Sequence, residues 1–267
     1  MGEVYVITSG KGGVGKTTVT ANLGVGLALR GAKVVTVDAD IGLRNLDVVL
    51  GLENRIVFHL VDVVEGNCRL EQALVRDKRV ENLFLLPAAQ TRTKEAVSAD
   101  QMIDICAKLK ERFDYVLIDS PAGIEAGFRN AAVGADKAIV VTTPEVSAVR
   151  DADRIIGLLE SMGKGMPQLI VNRIKPEMVE KGDMLSVNDV LDILAIPLLG
   201  IVPEDEEVIV ATNRGEPIIL KEESLASQAF RNIVLRLKGE DVPLMKLTPK
   251  KSTGFWGKIK QIFRVGE

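Results

Sequence analysis

The chain has 267 residues, with 34 lysines and arginines against 37 acids, 46% hydrophobic and 4% aromatic residues, one histidine and two cysteines. At that size one α/β domain can bury roughly three quarters of the surface its unfolded chain exposes, and no apolar run is long enough to span a bilayer. A single histidine, His59, excludes a zinc centre built on several imidazoles and leaves any histidine-based nucleophilic triad resting on that residue alone.

Short runs of Val, Ile and Leu bounded by turn residues alternate with segments of helical period. The first such run predicts a strand over 4–8, followed by a helix over 16–30. Strands are then expected over 33–38, 83–87, 115–119, 137–143, 168–172 and 198–203, with helices over 99–112, 147–162, 187–194 and 225–238. Strands this continuously apolar are covered on both faces, so the fold class is α/β: a doubly wound, mostly parallel sheet with helices on both sides. Ser186 followed three residues later by Asp189 predicts a capped helix start. Cys68 and Cys106 lie outside any CxxC and no apolar leader precedes the first strand, so both are expected to be reduced, mostly buried thiols of a cytosolic protein.

Between the first strand and its helix the chain reads Ser9, Gly10, Lys11, Gly12, Gly13, Val14, Gly15, Lys16, Thr17, Thr18, which satisfies G-x-x-x-x-G-K-[ST]. Glycines at these spacings let backbone N–H groups converge on phosphate oxygens while the helix directs its positive end at them. Lys16 adds a point charge for the terminal phosphates, and the Thr17 hydroxyl can complete a Mg²⁺ shell. The expected strand over 115–119 ends in Asp119, an acid placed to hold Mg²⁺ through water, and the N–H of Gly123 just beyond it can sense a γ-phosphate. Asp38 and Asp40 end the second strand; one residue apart, they share a face and both can point toward a metal and phosphate cluster.

Beyond residue 238 the organisation changes. Residues 239–253 contain Pro243 and Pro249 and little periodicity, as a connector between the domain (1–238) and a terminal segment would. In that segment, 254–265, a helix would gather Phe255, Trp256, Ile259, Ile262 and Phe263 within an arc of about 120° and leave Lys258, Lys260 and Arg264 on the rest. From 250 to 264 there are five basic residues and no acid, against 29 basic and 37 acidic residues elsewhere. A short helix of this kind suits the interface of an anionic membrane.

Lys11, a second lysine inside the phosphate loop, resembles the signature lysine of the deviant Walker A ATPases, the MinD/ParA family. DADIGLRNLDVVLG, LPAAQTR, IDSPAGIE, TPEVSAVRDADRI, GIVPED and NRGEPI extend the resemblance through essentially the whole chain, toward the division-site members of that family. The resemblance implies that Lys11 crosses a nucleotide-sandwich homodimer to the partner's phosphates, that Asp38 joins the magnesium network, and that Asp40 orients the attacking water. It also implies an adenine site at Asn172, Arg173, Pro203, Glu204 and Asp205. The guanine-reading N-K-x-D motif does not occur, so ATP is expected over GTP.

Glu145, Ser147 and Asp151 fall in what would be the dimer-facing region, with Asp151 the candidate interface residue. The implied cofactors are ATP and Mg²⁺. The implied partners are the septum inhibitor MinC, a topological regulator such as MinE, and anionic lipid, on the inner face of the cell membrane. Two rivals share the fold. A DNA segregation ATPase would need a basic surface that the acidic body does not offer, and no specific nucleic acid is expected. A metal-cluster carrier would need cysteines on loops facing the dimer axis.

Overall fold

The computed structural model describes residues 2–248. Eight strands form one sheet: β1 (Glu3–Thr8), β2 (Val34–Asp38), β3 (Val75–Arg76), β4 (Leu83–Leu86), β5 (Tyr115–Asp119), β6 (Lys137–Thr142), β7 (Gln168–Ile174) and β8 (Leu198–Pro203). Their spatial order is β3-β4-β2-β5-β1-β6-β7-β8. All neighbours are parallel except β3, a two-residue antiparallel edge on β4. The seven strands expected from the sequence are present within two residues at each end. The edge strand is too short to leave a periodic signal.

Strand alternation sends successive side chains to two separate cores. Val4 and Val6 of β1, Val35 and Val37 of β2, and Val116 and Ile118 of β5 enter one; Tyr5, Ile7, Val34 and Leu117 enter the other. The second core is closed by α1 (Lys16–Leu29), which is buried along most of its length, and by α2 (Leu46–Leu50). The first is closed by α3 (Leu60–Val64), α4 (Leu70–Ala73), α5 (Ala99–Lys110), α6 (Ala126–Val133) and α7 (Val146–Ser161). Following α8 (Pro176–Lys181), α9 (Val187–Leu194) joins the first core, and α10 (Glu206–Asn213) and α11 (Leu225–Leu237) join the second.

Local chemistry fixes the helix starts. Ser98 and Ser186 each accept the N–H three residues on, while Gln101 and Asp189 reach back to the cap N–H, completing two capping boxes. His59 does the same for α3: its Nδ1 accepts the Asp62 N–H, and the Asp62 carboxylate accepts the His59 N–H. The one imidazole of the chain is thereby spent on a cap. Cys106 is buried and its thiol pushed up to about 12 by burial, while Cys68 is half-buried.

Past α11 the Arg236 guanidinium donates to the carbonyls of Leu199, Val242 and Pro243, and Met245 and Leu247 pack on the two cores. The first part of the expected connector is thus tied to the domain. The amphipathic segment 254–265, with Phe255, Trp256, Lys258, Ile259, Lys260, Ile262, Phe263 and Arg264, lies outside the described residues. No helix among the described residues is long and apolar enough to cross a membrane.

Candidate nucleotide site

β1 sits where the strand order reverses, with β5 on one side and β6 on the other, and the crevice beyond its carboxyl end is where open α/β sheets bind ligands. The loop 9–15 leaves β1 there and turns into α1. Gly13 and Gly15 hold φ of +79° and +96°, a region closed to most side chains. Gly15 is the N-cap of α1 and supplies no capping side chain, so the first helical N–H groups face the loop interior. Two glycines are required by contact as well: a Cβ on Gly10 would lie 2.1 Å from the Asp151 carbonyl oxygen, and one on Gly15 2.4 Å from Asn172 Nδ2. The loop is clamped between α7 and the end of β7.

Three acids and a lysine converge below it. The β2 and β5 register sets Asp38 opposite Asp119, and the β1 register sets Asp119 opposite Ile7, at the entrance of the loop. Both carboxylates are buried. Asp38 accepts the N–H groups of Asp40 (3.0 Å), Asn45 (3.1 Å) and Leu46 (3.1 Å). Burial and the facing Asp119 carboxylate push it up to about 8. Burial raises Asp119 to about 6, against the pull of Lys16 and the Thr17 hydroxyl. Lys16 is 8% exposed, and burial lowers its pKa against Asp119 and Asp40.

Thr20 is not among the expected site residues, yet its one hydroxyl proton is within reach of two acceptors, Asp119 at 3.3 Å and the Lys16 carbonyl at 3.0 Å. Its place one helical turn after Lys16 is the sequence signal that marks it.

The raised carboxyls carry a consequence for stability. An acid whose pKa is higher folded than unfolded holds its proton longer in the folded chain, so stability falls as pH rises from the unfolded value near 4 through the folded value. For Asp38 that window closes at about 8. The nucleotide-free protein is therefore expected to lose at least about 1 kcal/mol, roughly 2–4 °C in Tm, between pH 5.5 and 8. Asp38→Asn should flatten the profile; equal slopes for the two proteins in a thermal-unfolding series would refute the assignment.

Beside the loop is a cavity of about 120 Å³ lined by Gly15, Thr18, Asn172, Arg173, Val202, Pro203, Glu204, Asp205, Val208, Ile209 and Phe230, among them all five residues expected at an adenine. Their roles differ. Asn172 is buried and its Nδ2 donates to the Val14 carbonyl at 2.8 Å, so it braces the phosphate loop as well as facing the cavity. Arg173 turns to φ +57° and breaks the β7 and β8 register. The Asp205 carboxylate accepts the Glu207 N–H and the Ser224 hydroxyl, joining the starts of α10 and α11, and so shapes the wall through structure.

Lys11 turns away from its own phosphate loop. Its Nζ lies 3.3 Å from the Glu145 carboxylate and 3.4 Å from the Ser147 hydroxyl, at the start of α7, with the side chains of Lys11 and Glu145 about half exposed. Asp151, one turn further along α7, lies beneath Gly10 and holds Arg154 at 3.4 Å. The Gly123 N–H donates to the Ser9 carbonyl at 3.0 Å, and it meets a phosphate only by giving up that bond.

The family model for the CobQ/CobB/MinD/ParA nucleotide binding domain matches residues 5–218. The chain is 58% identical over 267 residues to the septum site-determining protein MinD of Bacillus subtilis, covering 99% of each. It is similar to the MinD chain in a MinC:MinD cell division protein complex from Aquifex aeolicus, with TM-score 0.86, 54% identity, and coverage of 91% of this chain and 99% of that one. It is also similar to a septum site-determining MinD from Pyrococcus horikoshii solved with Mg-ADP, with TM-score 0.82, 33% identity, and coverage of 89% and 96%.

Proposed function

The chain belongs to the MinD group of the CobQ/CobB/MinD/ParA nucleotide-binding family, and from that membership we propose that it is an ATPase positioning the cell-division site, active as an ATP-joined pair on the inner face of the membrane. One observation carries the pairing: Lys11 is held at the protein surface by Glu145 and Ser147 instead of in its own loop. An exposed pair of this kind is worth about 1 kcal/mol or less. Its exchange for the phosphates of a second copy costs little.

The residues present fit a magnesium nucleotide. Gly12 and Gly13 leave open space at the loop, and two buried carboxyls raised by burial favour a cation beside them. Thr17, Asp38 and Asp119 would hold Mg²⁺, directly or through water, and the ion when bound supplies positive charge against the terminal phosphates.

The chain's own residues do the rest. Lys16 and the loop N–H groups fix the phosphates of the same subunit, while Lys11 of the second copy neutralises charge that develops on the transferred phosphoryl group. Asp40 orients the attacking water. Asn172 offers an amide to the adenine in the cavity walled by Arg173, Pro203, Glu204 and Asp205. Turnover by positioning alone is slow, which suits a timer.

The segment 254–265 supplies the membrane grip. Five partly buried apolar side chains at about 1 kcal/mol each, with up to about 1 kcal/mol per basic residue, are offset by the cost of ordering the helix, so one copy holds weakly. In a pair the second copy binds at an effective concentration near millimolar, which raises avidity roughly a hundredfold. Hydrolysis separates the pair and releases both. The Aquifex complex supports a MinC-type septum inhibitor as the recruited partner, and a MinE-like regulator would act by hastening hydrolysis.

Trp256 is the chain's single tryptophan and reports the grip directly. Its emission is expected to shift blue with anionic liposomes and Mg·ATP, and much less with ADP. No shift in either state would remove the membrane reading and leave the ATPase reading standing.

A further inference from the structure

The turn that carries Asp40 is closed from both ends. The Asp40 carbonyl accepts the N–H groups of Leu43 and Arg44, both at 3.2 Å, and the Gly42 N–H donates to Ala89. The Asp38 carboxylate ties the Asp40 N–H to those of Asn45 and Leu46 at the start of α2. Asp40 and α2 therefore share one anchor, and a shift of α2 is a shift of Asp40.

Within this turn Arg44 sits at φ +42°, one of three non-glycine residues with positive φ among those described. Glycine would take that conformation without strain; arginine does not. The arginine side chain lies inward, 15% exposed, with Nε 2.8 Å from Oδ2 of Asp47, itself 1% exposed in the first turn of α2; the two meet as opposite charges outside hydrogen-bond geometry. A buried ion pair adds little stability over apolar neighbours and a left-handed arginine subtracts from it. The fold accepts both at the turn before α2, so what the guanidinium provides there is placement.

We propose that Arg44 is a positioning residue for hydrolysis: its pair with Asp47 locks the Asp40 turn against α2 and fixes where the Asp40 carboxylate stands relative to the phosphate loop. The proposal rests on the reading of Asp40 as the residue that orients water.

The test uses the full chain and four single variants, Arg44→Gly, Arg44→Lys, Asp47→Asn and Asp40→Asn, with the Arg44→Gly, Asp47→Asn double variant. Glycine relieves the backbone but leaves the Asp47 carboxylate buried without its cation, so Arg44→Gly should lose Tm that the double variant, neutral at position 47, regains, and both should bind a fluorescent ADP analogue within twofold of the parent. In Arg44→Gly, single-turnover hydrolysis of Mg·ATP should fall at least tenfold, and amides 40–46 should exchange hydrogen faster in the nucleotide-free protein.

Arg44→Lys should recover part of the rate. Asp47→Asn should lose as much as Arg44→Gly, and the double variant no more than either, because one interaction is removed in each case. The parental rate in Arg44→Gly, with Asp40→Asn inactive, overturns this proposal alone, as does a parallel fall of rate, ADP affinity and Tm in the double variant. The parental rate in Asp40→Asn overturns the reading of Asp40 and this proposal with it.

Discussion

Lys16→Ala is expected to lower nucleotide affinity at least a hundredfold and hydrolysis a thousandfold or more. Lys16, the first residue of α1, is buried and near enough to Asp119 and Asp40 to feel both charges. A hydrogen bond to a charged group contributes about 1.5–3 kcal/mol, and a lysine reaching two phosphates makes more than one. Removing a preorganised donor from a developing charge costs a further factor of about 10²–10³ in rate. The loss also leaves Asp119 without its nearest positive charge, which pushes that carboxyl further up and weakens the metal side. Calorimetric titration with Mg·ADP checks the first number and single-turnover hydrolysis the second. An affinity within tenfold of the parent would mean that the phosphates are held elsewhere.

Lys11→Ala should separate two properties that Lys16→Ala removes together. Because Lys11 faces Glu145 and Ser147 on the surface, its loss should leave the fold unchanged, cost less than about 1 kcal/mol of stability, and leave ADP affinity within about twofold. ATP-driven pairing should disappear, and hydrolysis with it, by about a hundredfold. Liposome binding should fall to the level of a single copy, because avidity is lost when simultaneous engagement is impossible. The measurement is scattering mass with and without Mg·ATP, followed by liposome sedimentation. A Lys11 variant that pairs normally would count decisively against a shared site.

Much of this site is legible in the sequence because its chemistry is set by near neighbours. The loop from Ser9 to Thr18 and the strands ending in Asp38 and Asp119 follow from spacing and strand alternation, and the fold brings them to one sheet edge, whereas Asp40 lies past the end of β2 in a turn tied to the Asp38 carboxylate and not on a strand face shared with it. The capping box at Ser186 is equally local.

What the sequence does not disclose depends on residues far apart or on backbone conformation. The short helices α6, α8 and α10 carry no capping box like the one that marks α9, which is no longer than α6 or α10. The bond from Gly123 to Ser9 spans more than a hundred positions, as does that from Asn172 to Val14. Asp205 reads as a site acid, yet its carboxylate is committed to Ser224 and Glu207, a commitment that only the packing of α10 against α11 creates. Arg44 leaves no mark at all, since nothing in the run IGLRN says which residue will turn left-handed.

The most direct measurement is the scattering mass of the parent protein in solution, taken with Mg·ATP and with Mg·ADP at the same protein concentration. Twice the single-chain mass with ATP and the single-chain mass with ADP is the expected result. One mass in both states, with ATP shown to be bound, would contradict a nucleotide that joins two copies.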